Sequence, residues 1–216
     1  MASYRCVSWS SVRYTSLHNY LFYQAGWFAC VLGGAAHRPW AGFLFATALV
    51  GAHLTWSHDR AREVRRVALA VVVGTAVEAI QISAGTYRFT SGTVFAALPP
   101  PWLLAMWAQL ATTFGFSLRT IVHRPVAAAL FGAIGGPLAY VAGERLGAVT
   151  LQRPLAPGLI LLAVSWVAAM SIFCVVERRL SRNRDAAPTA GHSHHPSTGA
   201  AREEQPGTPL ALGESA

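Results

Sequence analysis

The chain has 216 residues, of which 53% are hydrophobic and only 12% are charged, and its mean hydropathy is +0.38. This composition is too apolar for an ordinary soluble domain and predicts a polytopic membrane protein. The formal net charge is +8, but all 17 basic residues are arginines spread along the chain, which favours cytoplasmic loops over a nucleic-acid-binding face.

Six apolar segments follow one another along the chain, each near the ~20 residues that a helix needs to cross a bilayer core. A signal peptide is the alternative for the first segment, but Asn19 and Gln24 interrupt its apolar run and favour a retained helix. We therefore predict an all-α fold, a polytopic bundle of about six transmembrane helices. The segments are Tyr20–Ala36, Trp40–Ser57, Val67–Gly85, Pro101–Leu118, Val126–Gly143 and Pro157–Val176.

Arginines mark the side on which each loop is expected to lie, because short basic loops stay in the cytoplasm. Four of them fall on one side of the predicted segments, namely Arg38, Arg88, Arg145 and Arg153. Twelve fall on the other side, which predicts that both termini are cytoplasmic and that the number of helices is even. These are Arg5, Arg13, Arg60, Arg62, Arg65, Arg66, Arg119, Arg124, Arg178, Arg179, Arg182 and Arg184.

Composition divides the chain into three parts. Residues 1–18 are predicted to be a polar N-terminal extension, residues 19–180 the transmembrane domain and residues 181–216 a disordered cytoplasmic tail rich in Pro, Gly, Ser and Thr. The tail contains "HSHH" at His192–His195, which could hold a metal ion loosely, but a flexible tail gives no fixed geometry. We therefore predict no metal site and no cofactor.

The third segment carries an ionisable residue, Glu78, within its apolar run. Gly74, Glu78, Gln81 and Gly85 are offset by four, seven and eleven positions, which places them on one helical stripe. An acid within a bilayer costs at least ~2.5 kcal/mol when it faces lipid, so this stripe should face protein. Glu78 is then either a protonated packing residue or a functional acid.

Partners for Glu78 are expected on the fourth and fifth segments. Gln109 opens a polar stripe on the fourth, and Tyr140 lies on the fifth. The fifth segment also has small-residue faces for close packing, and Pro137 predicts a kink or an unwound stretch at Gly135, Gly136 and Pro137. We expect Glu78 to be predominantly protonated and to hydrogen-bond toward Gln109, Tyr140 or this loosened backbone.

Charged residues also follow the fifth segment. Glu144 and Arg145, with Arg88 from the loop after the third segment, are predicted to form an ion-pair cluster above Glu78. Such a cluster could receive an anionic head group, since arginine presents a planar fork of donors. Ordinary anchoring at the membrane interface, beside Tyr87 and Trp102, is the favoured alternative.

Three stretches resemble the recurring blocks of a bacterial inner-membrane family known as a domain of unknown function, DUF2878. They are "NYLFYQAGWFACVLGGA" (Asn19–Ala35), "PPPWLLAMWAQLATTFGFSL" (Pro99–Leu118) and "GGPLAYVAGERLGA" (Gly135–Ala148). The resemblance covers residues 19–176. It implies a multi-pass protein of the bacterial inner (cytoplasmic) membrane and a loose association with membrane lipid modification, but no reaction, cofactor or substrate.

Three functions remain open at this point. A non-catalytic accessory or assembly component, with a lipid or membrane protein as partner, is favoured. A carrier or gated pathway for a small solute, lipid or proton, built around Glu78, is the next alternative. A membrane-embedded enzyme would need Glu78 as acid or base with His53 or Glu144 in support, and the sequence lacks histidine boxes, aspartate-rich motifs and a P-loop.

Overall fold

The computed structural model describes residues 9–185, with side chains described for residues 16–181. This part of the chain is mostly helical, as the sequence predicts, and contains seven α-helices and two short strands. In chain order they are α1 (Trp9–Ala35), α2 (Pro39–Trp56), α3 (Arg60–Ser83), β1 (Tyr87–Phe89), α4 (Pro101–Thr112), α5 (Arg119–Val122), α6 (Pro125–Arg145), β2 (Val149–Leu151) and α7 (Leu155–Asp185).

Prolines and a capping aspartate determine where several helices begin. Pro39, Pro101 and Pro125 open α2, α4 and α6, where the missing backbone N–H costs no helical hydrogen bond. Asp59 caps α3, because its side chain accepts a hydrogen bond from the backbone N–H of Arg62 at 3.1 Å. Because each of these helices begins at a defined residue, only short connections are needed between them.

The bundle has two chemically different ends. β1 and β2 pair antiparallel, with Tyr87 opposite Leu151, at the end where α3 and α6 finish, and we call this the sheet end. The opposite end carries the arginines at the start of α3, around α5 and late in α7, and we call it the arginine end. α1 approaches the arginine end with Asn19, whose amide donates to the carbonyl of Thr112 at 3.2 Å. The described chain therefore begins and ends on the same end of the bundle.

α4 lies in the middle of the bundle, packed against α1, α2 and α3, and nine of its 12 residues are buried. It is shorter than the predicted segment, because the hydrogen bonds tighten after Thr112. The N–H of Thr113 donates to the carbonyl of Leu110 at 3.0 Å, and both threonine hydroxyls donate to carbonyls three residues earlier. Twelve residues rise only ~18 Å, so α4 by itself is too short for a ~30 Å bilayer core.

α6 and α7 pack closely through glycines of α6. A Cβ at Gly132 would lie 2.6 Å from the carbonyl oxygen of Trp166, and one at Gly136 would overlap the Trp166 ring. The predicted small-residue contact is confirmed for these two glycines. α6 stays helical through Gly135, Gly136 and Pro137, so the expectation of an unwound stretch is wrong there. Packing against α7 holds the helix together where proline removes one hydrogen bond, and a kink stays a prediction.

Three helices of the described part are long and apolar enough to cross a membrane. They are Arg60–Ser83, Pro125–Arg145 and Leu155–Ser181. Large apolar side chains point outward from them, such as Leu130, Ile134 and Leu138 on α6, which are 57%, 57% and 60% exposed. Helices that face lipid are expected to carry apolar residues on their outer face and glycines on the face that contacts other helices. The bundle of six spanning helices stays a prediction.

Both predicted boundaries of the helical domain move outward. α1 begins at Trp9, so ten residues of the expected polar extension, residues 1–18, are helical. A helix satisfies its own backbone hydrogen bonds whether its surface is polar or apolar. α7 continues to Asp185, past the predicted boundary at residue 181. From residue 186 the predicted disordered tail, with His192–His195, lies outside the described residues.

Candidate functional site

A turn at the end of α3 returns the chain toward Glu78. Gly85 has a φ of 68°, and the N–H of Thr86 donates to the carbonyl of Gln81 at 3.0 Å, a helix-ending motif that favours glycine. β1 starts at the next residue, Tyr87, which pairs with β2 and is only 3% exposed. The turn therefore directs the Tyr87 side chain back into the bundle.

Glu78 is fully buried and accepts hydrogen bonds from three uncharged side chains. The indole N–H of Trp107 donates to Oε1 at 2.9 Å, and the hydroxyl of Tyr140 donates to Oε2 at 2.5 Å. The hydroxyl of Tyr87 donates to the same Oε2. Since these donors come from α4, α6 and β1, one carboxyl group on α3 connects four elements.

Aromatic stacking fixes the positions of the three donors. The rings of Tyr87 and Tyr140 stack with centroids 4.6 Å apart, and their hydroxyl oxygens are 3.2 Å apart. The Trp107 ring stacks on Trp166 at 4.7 Å. Trp107 also lies over Gly74, where any Cβ would overlap the indole ring. The glycine one turn before Glu78 thus makes room for the tryptophan that binds it.

A cavity of about 50 Å³ lies beside Glu78. Glu78, Tyr140 and four tryptophans line it together with aliphatic side chains, and the tryptophans are Trp27, Trp102, Trp107 and Trp166. Since benzene fills a cavity of ~150 Å³, this volume holds a group of about two heavy atoms.

The predicted stripe on α3 faces the protein interior. Gly74, Glu78 and Gln81 are all buried, whereas Gly85 lies beyond the last helical residue and serves as the turn glycine. The Gln81 amide N–H donates to the hydroxyl of Ser165 at 2.7 Å, which ties α3 to α7. Gln81 therefore belongs to the helix contact and forms no hydrogen bond with Glu78.

The structure does not bring Gln109 to Glu78. Its amide donates to the carbonyl of Phe22 on α1 at 2.9 Å. The expected depth was wrong because α3 starts at Arg60, seven residues before the predicted segment. Glu78 therefore lies five positions before the end of α3 at Ser83, roughly 8 Å from it, and not near the helix centre. Trp107, two residues before Gln109, is the α4 residue that reaches this level.

The predicted cluster of Glu144, Arg145 and Arg88 does not form. Glu144 accepts from the backbone N–H of Leu151 at 2.9 Å and from the guanidinium of Arg153 at 3.2 Å. Within residues 16–181 no ion pair joins it to Arg145 or Arg88, which are both exposed. The chain reverses after α6 and returns as β2, which carries Arg153 to Glu144 while Arg145 points outward.

The sequence did not reveal a buried ion cluster at the arginine end. Glu177 of α7 is 1% exposed and accepts from Nε and Nη2 of Arg66 at 2.5 and 2.6 Å. Arg66 also donates to Glu63, and Arg62 lies 3.5 Å from Glu177. Glu63 and Arg66 are one helical turn apart on α3, a spacing that could have indicated a pair.

His53 belongs to this ion cluster and not to the Glu78 site. Its Nε2 lies 3.2 Å from Oε2 of Glu63. The hypothesis that His53 or Glu144 supports Glu78 in catalysis is therefore wrong, because hydrogen bonds hold both at other places.

A second cavity, of about 490 Å³, opens between α1, α2 and α4 toward the arginine end. Gln109 lines it, is 2% exposed, and has an amide oxygen without a hydrogen-bond partner. Tyr23 lines both this cavity and the one beside Glu78. Among the described residues no group of three or more His, Cys, Asp or Glu side chains is placed to hold a metal ion.

No curated protein and no solved structure matches this chain. A family model described as "Protein of unknown function (DUF2878)" matches residues 16–172, a range that includes Glu78, its three donors and both cavities. This match covers well over half of the sequence, and the chain therefore belongs to the DUF2878 family.

Proposed function

We propose that the chain is a multi-pass protein of the bacterial inner (cytoplasmic) membrane, with six crossing segments and both termini in the cytoplasm. Exposed leucines and isoleucines around the bundle support embedding in lipid. The excess of arginines at one end supports placing that end in the cytoplasm. α4, the turns that follow it and α5 together form the fourth crossing segment.

Within this membrane setting, we assign the chain a non-catalytic accessory or assembly role in lipid-related processes. The observation that carries this assignment is the saturated environment of Glu78. Its two oxygens are held by Trp107, Tyr140 and Tyr87, and among the described residues no second carboxyl, imidazole, thiol or aliphatic hydroxyl group forms a hydrogen bond with it. Both tyrosines are stacked and already donate to the carboxyl, so this arrangement favours connecting helices and binding a ligand over proton transfer to a substrate.

A carrier is the second candidate, and one observation favours it. The two cavities lie toward opposite ends of the bundle, and both are lined by Tyr23. A carrier would need Tyr23 to move so that the two cavities join into one path along α1 and α4. Polar groups line this path at Glu78 and Gln109. Membrane carriers bind their substrates at interior sites of this kind.

Native mass spectrometry of the full chain, extracted in a mild detergent, tests these roles. A retained protein subunit supports the accessory role, and a retained lipid without a subunit supports the carrier. A bare monomer that also catalyses turnover of added lipids would contradict both.

Infrared difference spectroscopy tests the state of the acid, with Glu144→Gln as the control at the sheet end. Under the accessory role, Glu78→Gln alone removes a protonated carboxyl band, and the variant stays folded. If the Glu78 band instead titrates like that of an exposed carboxyl, the residue lines an open aqueous path, and the accessory role loses to the carrier.

A further inference from the structure

We propose that the cavity beside Glu78 binds a small organic ammonium group, with the carboxylate as its counter-ion and aromatic side chains among its walls. This inference goes beyond the proposed function and applies to an accessory protein and a carrier alike.

Glu78 has no positive partner in the protein. Its three donors are two phenols and an indole, and within residues 16–181 no arginine or histidine forms an ion pair with it. By contrast, the other two fully or nearly fully buried acids, Glu63 and Glu177, are both paired with Arg66. A buried carboxylate needs a compensating charge, which can be a proton or a bound cation.

The cavity walls suit a cation better than an anion. Seven of the 16 lining residues are aromatic, and four of these are tryptophans, the side chain with the most favourable ring face for a cation. Glu78 is the single charged residue among the lining side chains, so an anion would meet repulsion and no donor of opposite charge. The indole N–H of Trp107 and the hydroxyl of Tyr140 already donate to the carboxyl. The indole N–H of Trp166, which also lines the cavity, is buried without a hydrogen-bond partner and can take an acceptor that the ligand carries beside its ammonium group.

The volume limits the size of the group. About 50 Å³ accommodates roughly two heavy atoms, such as a methylammonium head, but neither a trimethylammonium head nor a ring system, since benzene fills a cavity of ~150 Å³. The remainder of a larger molecule has to stay outside the cavity.

Two of the helices that line the cavity, α1 and α6, have different packing partners. α1 packs against α2 and α4, while α6 packs against α7, and they line the cavity through Trp27 and Ala139. Both of these residues are partly exposed. A ligand that enters here comes from the lipid-facing side, so the ammonium group can belong to a free amine or to the head of an amphiphile.

Isothermal titration calorimetry on the full chain in nonionic detergent tests the inference. Methylammonium is the probe, and methanol is the control because it has a similar size and no charge. We expect wild type to bind methylammonium at least about tenfold more tightly than the neutral analogue. Glu78→Gln should weaken methylammonium binding by about tenfold or more, and Glu144→Gln should leave it unchanged.

A second variant covers the case in which Glu78→Gln does not fold. Trp27→Leu removes one wall of the cavity and leaves all three hydrogen bonds of Glu78 in place, so it should fold and weaken methylammonium binding several-fold. Retention of phosphatidylethanolamine over phosphatidylglycerol in native mass spectra would identify a lipid source, and methylammonium binding without lipid retention would identify a free amine. Equal binding of methylammonium and methanol, no methylammonium binding to wild type, or unchanged binding in both variants would overturn the proposal.

Discussion

Replacing Arg66 with methionine should destabilise the fold more than any change to an exposed arginine. The substitution removes two hydrogen bonds to Glu177 and one to Glu63, while the methionine keeps most of the side-chain volume. Two buried carboxylates would remain, with His53 at 3.2 Å from Glu63 and Arg62 at 3.5 Å from Glu177 as their nearest partners.

The expected loss is about 3–5 kcal/mol of unfolding free energy, the usual cost of removing one partner from a buried ion pair. Glu177 and Glu63 are 1% and 5% exposed, so water cannot replace the guanidinium. Arg65→Met is the matched control, because Arg65 is exposed and one residue away, and it should change stability by no more than ~0.5 kcal/mol.

Equilibrium unfolding in mixed detergent and dodecyl sulfate micelles, followed by tryptophan fluorescence, measures these differences. A triple variant with Glu63→Gln, Arg66→Met and Glu177→Gln removes every charge of the trio and should recover most of the loss. The reasoning fails if Arg66→Met costs less than ~1 kcal/mol, or if the neutral triple variant is no more stable than the single one.

Three further outcomes are expected. Gly132→Ala should cost about 1–3 kcal/mol of unfolding free energy in the same assay, because its Cβ would lie 2.6 Å from a backbone oxygen of α7. Gly135→Ala is the control and should be tolerated, so equal effects of the two substitutions would contradict the packing argument. Cysteine labelling of intact cells should fail at Ala61→Cys and succeed at Thr150→Cys, and the reverse pattern would invert the topology. Truncation after Asp185 should leave membrane insertion and stability unchanged, and a large loss of either would show that the tail contributes to the fold.

Local patterns in the sequence determined which residues turn inward. The stripe of Gly74, Glu78 and Gln81 follows from the helical period, and an acid in an apolar helix must avoid lipid whatever surrounds it. The close contact at Gly132 and Gly136 was equally readable, because small residues repeated every four positions let a second helix approach. The distribution of arginines among the loops and the helical fold class can both be read from the linear sequence, so neither prediction needed tertiary information.

Tertiary structure alone decided which inward residues meet. Arg66 and Glu177 are 111 positions apart, and their pairing depends on how far α3 and α7 are shifted and rotated against each other. The same applies to Glu78, whose level in the bundle depends on where α3 begins and α4 ends. A shift of two residues along α4, about 3 Å, separates Trp107, which binds the acid, from Gln109, which does not. Side-chain hydrogen bonds act over such short distances that sequence periodicity, uncertain by several residues at each helix end, cannot select the partner.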